Sequence, residues 1–333
     1  MSRCAWNLLL LIVFFFPERV WPGTAAFSVD GGTIYSIGET GLVAIDAESG
    51  ASSELAYPEG WEEGTVSSLS LSAKGTLFVA TETEIWEWDP ETSWKRKRAE
   101  AHASTEFREI ACDPVSGGFL VSAVQEDAET GERDWIAYWG HPANEFALAS
   151  VFIRRLRYLE APVFDSQGSL YFSTEGDLWW GRIEDQEARP LDGGRPYLHA
   201  IRYAPLATRE TSEGTPDQTG VVEIAVAGEA LWAQARRMGG SGWGSLLRLL
   251  PPPETRFGEG AEGLWEYSGV EQRIPLYRRA MESVEIITDE WRPCDLCASA
   301  DGKRVYYFSN NGHWLVEDGG AGEPRLLRKV EQE

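Results

Sequence analysis

The chain has 333 residues, of which 30 are Lys or Arg and 53 are Asp or Glu, giving a formal net charge of −23 at pH 7. This acidic excess argues against a general nucleic-acid binder, which needs clustered Lys and Arg to contact phosphates, and against docking on anionic lipid. With 43% hydrophobic residues the chain can bury a substantial core. The 34 Gly and 15 Trp indicate many turns and many flat side chains.

The N-terminal segment has the pattern of an export signal. Arg3 precedes an uninterrupted apolar run at residues 8–16, and Pro17 then ends that run. Nine apolar residues are too few to span about 30 Å of hydrocarbon, so a cleaved signal is favoured over a membrane anchor. We therefore predict that residues 1–26 are a signal peptide.

The expected cleavage site defines the mature protein. Small residues at 23–26 predict cleavage after Ala25 or Ala26. The remaining residues, 27–333, are then expected to form one exported domain, periplasmic or extracellular, that does not span a membrane.

The cysteines allow several interpretations. Cys112, Cys294 and Cys297 remain after removal of the signal, and the last two have CxxC spacing. That spacing suits a redox pair, half of a zinc site or a local disulfide, but no second CxxC follows. Structural thiols or an incidental disulfide are favoured, and the disulfide state is left open.

A repeated unit is the main signal in the rest of the chain. A short apolar strand, a Gly-containing turn, a second strand and a Trp-rich strand recur, with Trp-rich strands starting at residues 42, 85, 135 and 178. Their separations of 43, 50 and 43 residues leave room for four short strands, the size of one propeller blade. Trp and Tyr would fill the wedge between neighbouring blades.

These repeats predict an all-β fold, a β-propeller of about six four-stranded blades. Seven blades are the alternative, because residues 192–293 are harder to divide than the rest.

The last repeat resembles the TolB-type or WD40-like propeller repeat. Residues 299–309 read SADGKRVYYFS, and residues 314–327 read WLVEDGGAGEPRLL. The family repeat has Ser-Pro-Asp-Gly-Lys, an apolar strand, a Trp-containing strand and then Gly-Glu-Pro-Arg-Leu, and Ala300 here replaces its proline. The resemblance implies a propeller and no particular function, since propellers carry both binding proteins and several kinds of enzyme.

No catalytic motif stands out. The four histidines are isolated, and neither a GxSxG nucleophile elbow nor a glycine-rich nucleotide motif occurs. Acidic residues are so abundant that a solvated acidic surface is favoured over a carboxylate pair for glycoside hydrolysis. We therefore name no catalytic, cofactor-binding or metal-binding residues.

Calcium is the one cofactor that the sequence allows. Asp30, Asp165 and Asp301 lie in acidic turns whose carboxylates could ligate Ca²⁺. Hairpin-turn chemistry explains the same residues without an ion. We expect no cofactor, with Ca²⁺ as the alternative.

Four tryptophans are candidates for ligand binding. They lie outside the repeated strands, in turn-like sequence where an exposed ring could stack on a sugar or a peptide: Trp61, Trp94, Trp243 and Trp291. The basic cluster at residues 95–98 is the only one in this acidic chain, and a solvated strand edge is favoured there over a docking patch.

The leading functional hypothesis is a non-enzymatic propeller that acts as an interaction module for a protein or glycan ligand. The alternative is a carbohydrate-active propeller, a glycoside hydrolase or lyase, that uses a central carboxylate cluster. Carboxylates converging on the propeller axis would favour the alternative. The sequence predicts no oligomeric state.

Overall fold

The computed structural model describes residues 24–38, 41–57, 61, 66–72, 74–89, 92, 94–151, 159–184, 196–203, 206–210, 216–237, 244–251, 265–268, 272–275, 281–288, 294–309, 312–317 and 322–329. These residues form an all-β structure of six blades, with one short 3-10 turn at Pro142–Asn144. Within them, no helix is long and apolar enough to cross a membrane. The signal peptide stays a prediction, because residues 1–23 lie outside the described ranges.

Blades 1 to 3 are four-stranded antiparallel sheets made of consecutive strands. Blade 1 contains β1 (Ala25–Phe27), β2 (Thr33–Ile37), β3 (Gly41–Asp46) and β4 (Ser52–Ala56). Blade 2 contains β5 (Val66–Leu71), β6 (Leu77–Thr81), β7 (Glu84–Asp89) and β8 (Trp94–Glu100). Blade 3 contains β9 (Thr105–Cys112), β10 (Phe119–Glu126), β11 (Arg133–Gly140) and β12 (Leu148–Ser150).

Blades 4 to 6 complete the ring, and blade 5 departs from the four-stranded pattern. Blade 4 contains β13 (Glu160–Phe164), β14 (Leu170–Thr174), β15 (Asp177–Glu184) and β16 (Tyr197–Arg202). Blade 5 contains β17 (Leu206–Glu210), β18 (Pro216–Ala227), β19 (Ala230–Arg237), β20 (Gly244–Leu250) and β23 (Ser283–Thr288), with a hairpin of β21 (Trp265–Ser268) and β22 (Gln272–Pro275) between its last two strands. Blade 6 contains β24 (Cys294–Ala298), β25 (Val305–Ser309), β26 (Gly312–Val316) and β27 (Arg325–Lys329).

The blade count predicted from the repeats is confirmed as six. The strands that the repeats place at residues 42, 85, 135 and 178 are β3, β7, β11 and β15, the third strand of each of the first four blades, and Trp occurs in the last three of them. In the segment that was hard to divide, the described residues add one five-stranded blade and a two-stranded hairpin rather than a seventh blade. The all-β propeller prediction is therefore correct.

The hydrophobic core lies between neighbouring blades, as expected if aromatic rings fill the wedge. Trp88, Trp180 and Trp232 are at most 1% exposed, and each packs in a cluster drawn from two adjacent blades. Trp86 and Trp179 are only half-buried, and each packs against such a cluster. The aromatic side chains thus fill the space that widens away from the axis.

Each inner strand after the first blade carries a β-bulge. The inner strand has one more residue than the strand it pairs with, at positions Ser67, Arg108, 161–162, Val222 and 295–296. A bulge bends the strand and reverses its side-chain alternation. The side chain of the residue that follows therefore points to the opposite face of the sheet. In five blades a bulge therefore changes the direction of one inner-strand side chain.

The ring closes without strand exchange between the described ends of the chain. Blade 1 is built only from β1–β4, and blade 6 only from β24–β27. Phe27 and Ile45 of blade 1 share an apolar cluster with Tyr306 of blade 6. The Arg304 guanidinium of blade 6 also donates to the Gly31 carbonyl oxygen at 2.8 Å. Side-chain packing and hydrogen bonds therefore do the closing.

The turns that follow the inner strands β1, β5, β9, β13, β18 and β24 lie at one end of the axis. Each contains a glycine with positive φ: Gly31, Gly75, Gly117, Gly168, Gly228 and Gly302. At Gly302, where φ is +67°, an added Cβ would lie 2.3 Å from the backbone nitrogen of Gly228. Residue 302 must be a glycine both because its φ is positive and because the backbone of blade 5 leaves no room for a Cβ atom.

Gly302→Ala is expected to destabilise the protein more than Gly131→Ala. Gly131 has a φ of +69°, and a Cβ added there would have nothing within 4 Å, so it carries the conformational cost alone. The overlap with Gly228 should add about 1–3 kcal/mol to the loss of unfolding free energy. Urea denaturation measures both variants. Equal losses would show that the two turns are not in close contact.

His313 is a buried neutral histidine in blade 6. It is 6% exposed, and its Nδ1 lies 2.7 Å from the Tyr306 hydroxyl oxygen. Burial, assisted by the charge of Arg328, lowers the pKa of His313 from 6.5 to about 4. The folded protein therefore holds this imidazole uncharged where the unfolded chain would bind a proton.

The low pKa of His313 predicts a loss of stability in acid. Between about pH 6.5 and pH 4 the unfolded state takes up a proton that the folded state does not, so the folded state loses stability as pH falls. Relative to His313→Gln, the native chain should lose about 1–3 kcal/mol across that window. Paired denaturation curves at each pH measure the difference, with exposed His102→Gln as control. A pH-independent difference between native and His313→Gln would contradict it.

Candidate active site

The inner strands of all six blades line one cavity on the propeller axis. Its volume is about 370 Å³, within the range of small-molecule sites. The walls come from β1, β5, β9, β13, β18, β24 and the turns that follow them. Every blade therefore contributes to a single site.

Inner strands present backbone groups that no neighbouring strand can pair, and side chains from the preceding blade meet several of them. Ser68 Oγ of blade 2 accepts a hydrogen bond from the Ile110 amide of blade 3 at 3.1 Å. Ser70 Oγ accepts from the Cys112 amide at 2.9 Å. Buried backbone donors are rarely left unpaired, so these side chains hold adjacent blades in register.

Glu109 performs the same task between blades 3 and 4. It follows the bulge in β9, is 3% exposed, and lines the cavity. Its Oε2 accepts a hydrogen bond from the Ala161 amide, at a backbone position with a φ of +49°. Burial raises the pKa of Glu109 well above its ordinary value, and the nearby charge of Glu160 adds to the shift. Burial thus favours the protonated carboxyl form.

Glu223 occupies the corresponding position in blade 5. It also follows a bulge, is 3% exposed, and lines the cavity. Its Oε1 accepts a hydrogen bond from the Leu296 amide of blade 6 at 2.8 Å. The thiol of Cys297 has a pKa raised by burial first and by the charge of Glu223 second. Two carboxyl groups from blades on either side of blade 4 therefore face one cavity.

Asp295 joins blade 6 to blade 1 through side-chain hydroxyls rather than a backbone amide, and it lies outside the cavity lining. Its carboxylate accepts hydrogen bonds from the Thr24 hydroxyl and, at 3.3 Å, from the Ser36 hydroxyl. Desolvation raises the pKa of this carboxyl group, against the effect of both hydroxyls. Cleavage after Ala25 or Ala26, which stays a prediction, would remove the Thr24 hydroxyl and shorten β1.

The carboxylates of the acidic turns accept hydrogen bonds from groups of their own turns. Asp301 accepts from the Ser299 hydroxyl at 2.6 Å and the Lys303 amide at 3.0 Å, which lowers its pKa. Asp165 accepts from two amides of its own turn, although burial raises its pKa. Asp30 likewise bonds Ser28 and Gly32. Among the described residues no three acidic, His or Cys side chains group around a possible ion, and Ca²⁺ stays the alternative cofactor.

Two of the four predicted ligand-binding tryptophans, Trp61 and Trp94, are described by the structure, and neither lines the cavity. Trp61 is half-buried, with its ring centroid 5.6 Å from that of Trp88 and the Lys95 ammonium 5.6 Å above it. Trp94 begins the outer strand β8 and is 45% exposed. Trp243 and Trp291 lie outside the described residues. Stacking on a ligand stays a prediction for all four.

The basic cluster at residues 95–98 is engaged within its own blade and the next. Lys97 lies 3.1 Å from Glu84 and 3.0 Å from Glu100, and Arg98 pairs with Glu87. These contacts favour the strand-edge interpretation over a docking patch.

Two cysteines line the cavity as free thiols, Cys112 and Cys297. Burial raises the pKa of both, so they stay protonated and are poor nucleophiles. No redox role follows from either thiol.

Sequence reasoning missed Glu109 and Glu223, although one signal was present. Each is followed by Ile and Ala within an otherwise apolar inner strand, as Glu109-Ile110-Ala111 and Glu223-Ile224-Ala225. A carboxylate in a strand that must be buried is costly unless it has a partner or a function. The recurrence of that tripeptide in two repeats was the available clue.

Solved structures of other propellers are similar to this fold. A gluconolactonase from Xanthomonas campestris superposes with a TM-score of 0.56 at 12% identity, covering 92% of this chain and 86% of that one. Regucalcin, a calcium-binding protein from Agrobacterium tumefaciens, gives 0.51 at 15% identity, covering 86% and 81%. A luciferin-regenerating enzyme gives 0.52 at 11% identity, covering 88% and 84%. At these identities the likeness shows the fold alone.

No protein-family model and no curated protein matches the chain. The resemblance to TolB-type or WD40-like repeats is therefore supported as far as the six-bladed propeller, and not for that family in particular.

The expectation of a non-enzymatic interaction module is wrong. The similar propellers include a gluconolactonase and a luciferin-regenerating enzyme, which agrees better with the enzymatic alternative. The sequence-based hypothesis placed binding at surface loops and exposed tryptophans, whereas the buried carboxyl groups lie on the axis.

Substitutions at Glu109 should separate its hydrogen bond from its ionisation. Because burial raises its folded pKa, the stability that Glu109 contributes is present below its ordinary pKa near 4.5 and is lost as pH rises through the folded value. Glu109→Gln, which keeps an acceptor for the Ala161 amide, should remove that pH dependence. Glu109→Ala leaves the amide unpaired and should cost about 1–3 kcal/mol at every pH.

Urea denaturation between pH 5 and pH 8 measures all three proteins, with exposed Glu129→Gln as control. If the free energy of unfolding changed with pH in the same way for the native chain and for Glu109→Gln, the raised pKa of Glu109 would be contradicted.

Proposed function

We propose that the chain is an enzymatic propeller that hydrolyses a small carbohydrate-derived substrate, such as a sugar lactone, in its axial cavity. The observation that carries the proposal is the pair of buried carboxyl groups, Glu109 and Glu223, facing a cavity of about 370 Å³. The gluconolactonase of similar fold supports the choice of a lactone over other esters.

The two carboxyl groups can act as the general base and the general acid of a hydrolysis. Glu223 acts as general base and takes a proton from the attacking water, while the Leu296 amide holds its other oxygen. Glu109, kept protonated by burial, donates its proton to the oxygen that leaves the carbonyl carbon. The ring C–O bond breaks, the water oxygen bonds to the carbonyl carbon, and a hydroxy acid results.

The protonation states are then restored through solvent, with Glu223 releasing a proton and Glu109 gaining one. Regucalcin is a calcium-binding protein, and Ca²⁺ stays an alternative cofactor for this chain, although no three His, Cys, Asp or Glu side chains of the described residues group around an ion position. In the proposed reaction the two carboxyl groups carry both proton transfers.

Glu109→Gln and Glu223→Gln should each lower kcat/KM by about 100-fold or more, because each removes one proton transfer. The assay is hydrolysis of D-glucono-δ-lactone and related aldonolactones, followed by acid release in weak buffer.

Asp295→Asn is the matched control. Asp295 is another inner-strand carboxylate that bonds the next blade, but it does not line the cavity. Its variant should retain activity within a few-fold once folding is verified by circular dichroism. Native activity in both glutamate variants, or no hydrolysis of any lactone by the native chain, would overturn the proposal.

A further inference from the structure

The described lining of the axial cavity is exposed at one end only. Among the described residues that line the cavity, the exposed ones all belong to the turns that follow the inner strands. They come from five of the six blades and surround one opening, which we call the turn rim: Val29, Pro114, Ser166, Gly228, Ala300 and Asp301.

The opposite end of this lining is buried and contains the two glutamates of the proposed reaction. Ser68, Glu109 and Glu223 are at most 3% exposed. Glu109 and Cys112 are three positions apart in β9, which is about 10 Å of extended strand, and the turn lies beyond Cys112. A molecule that enters at the turn rim must therefore pass through most of the cavity before it meets the glutamates.

Contacts between neighbouring turns hold the rim together. The close approach of Gly302 to Gly228 joins the turns of blades 6 and 5. A Cβ added at Gly75 would lie 2.5 Å from Val29 Cγ2, so the turns of blades 2 and 1 also touch. Closely packed groups resist displacement, so we expect an opening of fixed width that admits molecules by their size.

Two native thiols can report on access to the cavity. Cys112 of blade 3 and Cys297 of blade 6 are free, buried and part of its lining. Burial raises the pKa of both thiols, so their reaction with a thiol reagent is slow. Rates measured at the same pH can still be compared between variants, since the substitutions proposed below lie in the exposed turns.

We propose that small molecules enter the axial cavity through the turn rim, and that Ser166 and Ala300 limit the size of those that pass. The place of entry concerns access alone. The size limit rests on the proposed function where it is applied to substrates. A compact aldonolactone passes the rim, whereas the same lactone carrying a second sugar is hindered.

Bulky substitutions at the rim test the place of entry on the full chain. Ala300→Trp and Ser166→Trp should each slow the modification of Cys112 and Cys297 by methyl methanethiosulfonate about tenfold, because an indole ring narrows the opening. Peptide mass mapping assigns the modified cysteine at each time point, and circular dichroism verifies folding.

Val115→Trp is the matched control. Val115 is 65% exposed in the turn that contains Pro114, but it does not line the cavity. Its variant should leave both modification rates and the rate of lactone hydrolysis unchanged.

Reagent size tests the same inference on the native chain without any substitution. At both cysteines, methyl methanethiosulfonate should exceed a pyrene-bearing maleimide in rate by a much larger factor in the folded chain than in the urea-unfolded chain. Equal factors would show that the thiols react through unfolding rather than through the rim, and would overturn the inference.

Kinetics connect the rim to the proposed reaction. Ala300→Trp and Ser166→Trp should each lower kcat/KM for D-glucono-δ-lactone about tenfold, because less substrate reaches the glutamates. In the native chain, a lactone that carries a second sugar should have a lower kcat/KM than D-glucono-δ-lactone.

The outcomes separate this inference from the proposed function. Unchanged thiol modification in both rim variants overturns the place of entry, whatever the chain hydrolyses. Slowed modification in a chain whose native form hydrolyses no lactone supports the place of entry and overturns the hydrolase. Lactone hydrolysis that both rim variants leave unchanged supports the hydrolase and overturns the size limit.

Discussion

Six strand edges that face one another across the propeller axis impose the constraint on which this structure depends. An edge strand has backbone N–H and C=O groups that no neighbouring strand pairs, and here they are buried. Side chains of one blade reach backbone groups in the inner strand of the next at Ser68, Glu109, Ser173 and Glu223. The same side chains therefore hold neighbouring blades together and place polar groups on the axis.

The carboxylates on the axis follow from that constraint. A serine can satisfy one amide at short range, but the bulges at Arg108 and Val222 redirect longer side chains, so Glu109 and Glu223 can reach across. Each then leaves part of its carboxyl group facing the cavity. Burial is costly for an isolated ionised acid. Here burial raises the pKa of Glu109, so the same carboxyl group can accept a structural hydrogen bond and carry a proton in the proposed reaction.

The repeats allowed the fold to be predicted, whereas the site could not be located from them. Third strands beginning near residues 42, 85, 135 and 178 indicated the blades, because turn glycines and wedge-filling Trp recur at fixed spacing. Glu109 and Glu223 could not be chosen from 53 acidic residues, since their direction depends on a one-residue bulge that period-two alternation does not contain. Trp61 has the sequence surroundings of an exposed ring, yet it packs against Trp88.

The junction of blades 1 and 6 has a consequence for how the protein opens. Because β1–β4 and β24–β27 belong to separate ends of the described chain, no covalent connection crosses this boundary as it does at the other five. The ring is therefore a linear series of blades in which the first and the last, blades 1 and 6, are held together by noncovalent contacts. Separation at that seam would break no chain connection, and Asp295 and Arg304 would exchange protein partners for water there. Such an opening would admit to the axis molecules too large to enter along it.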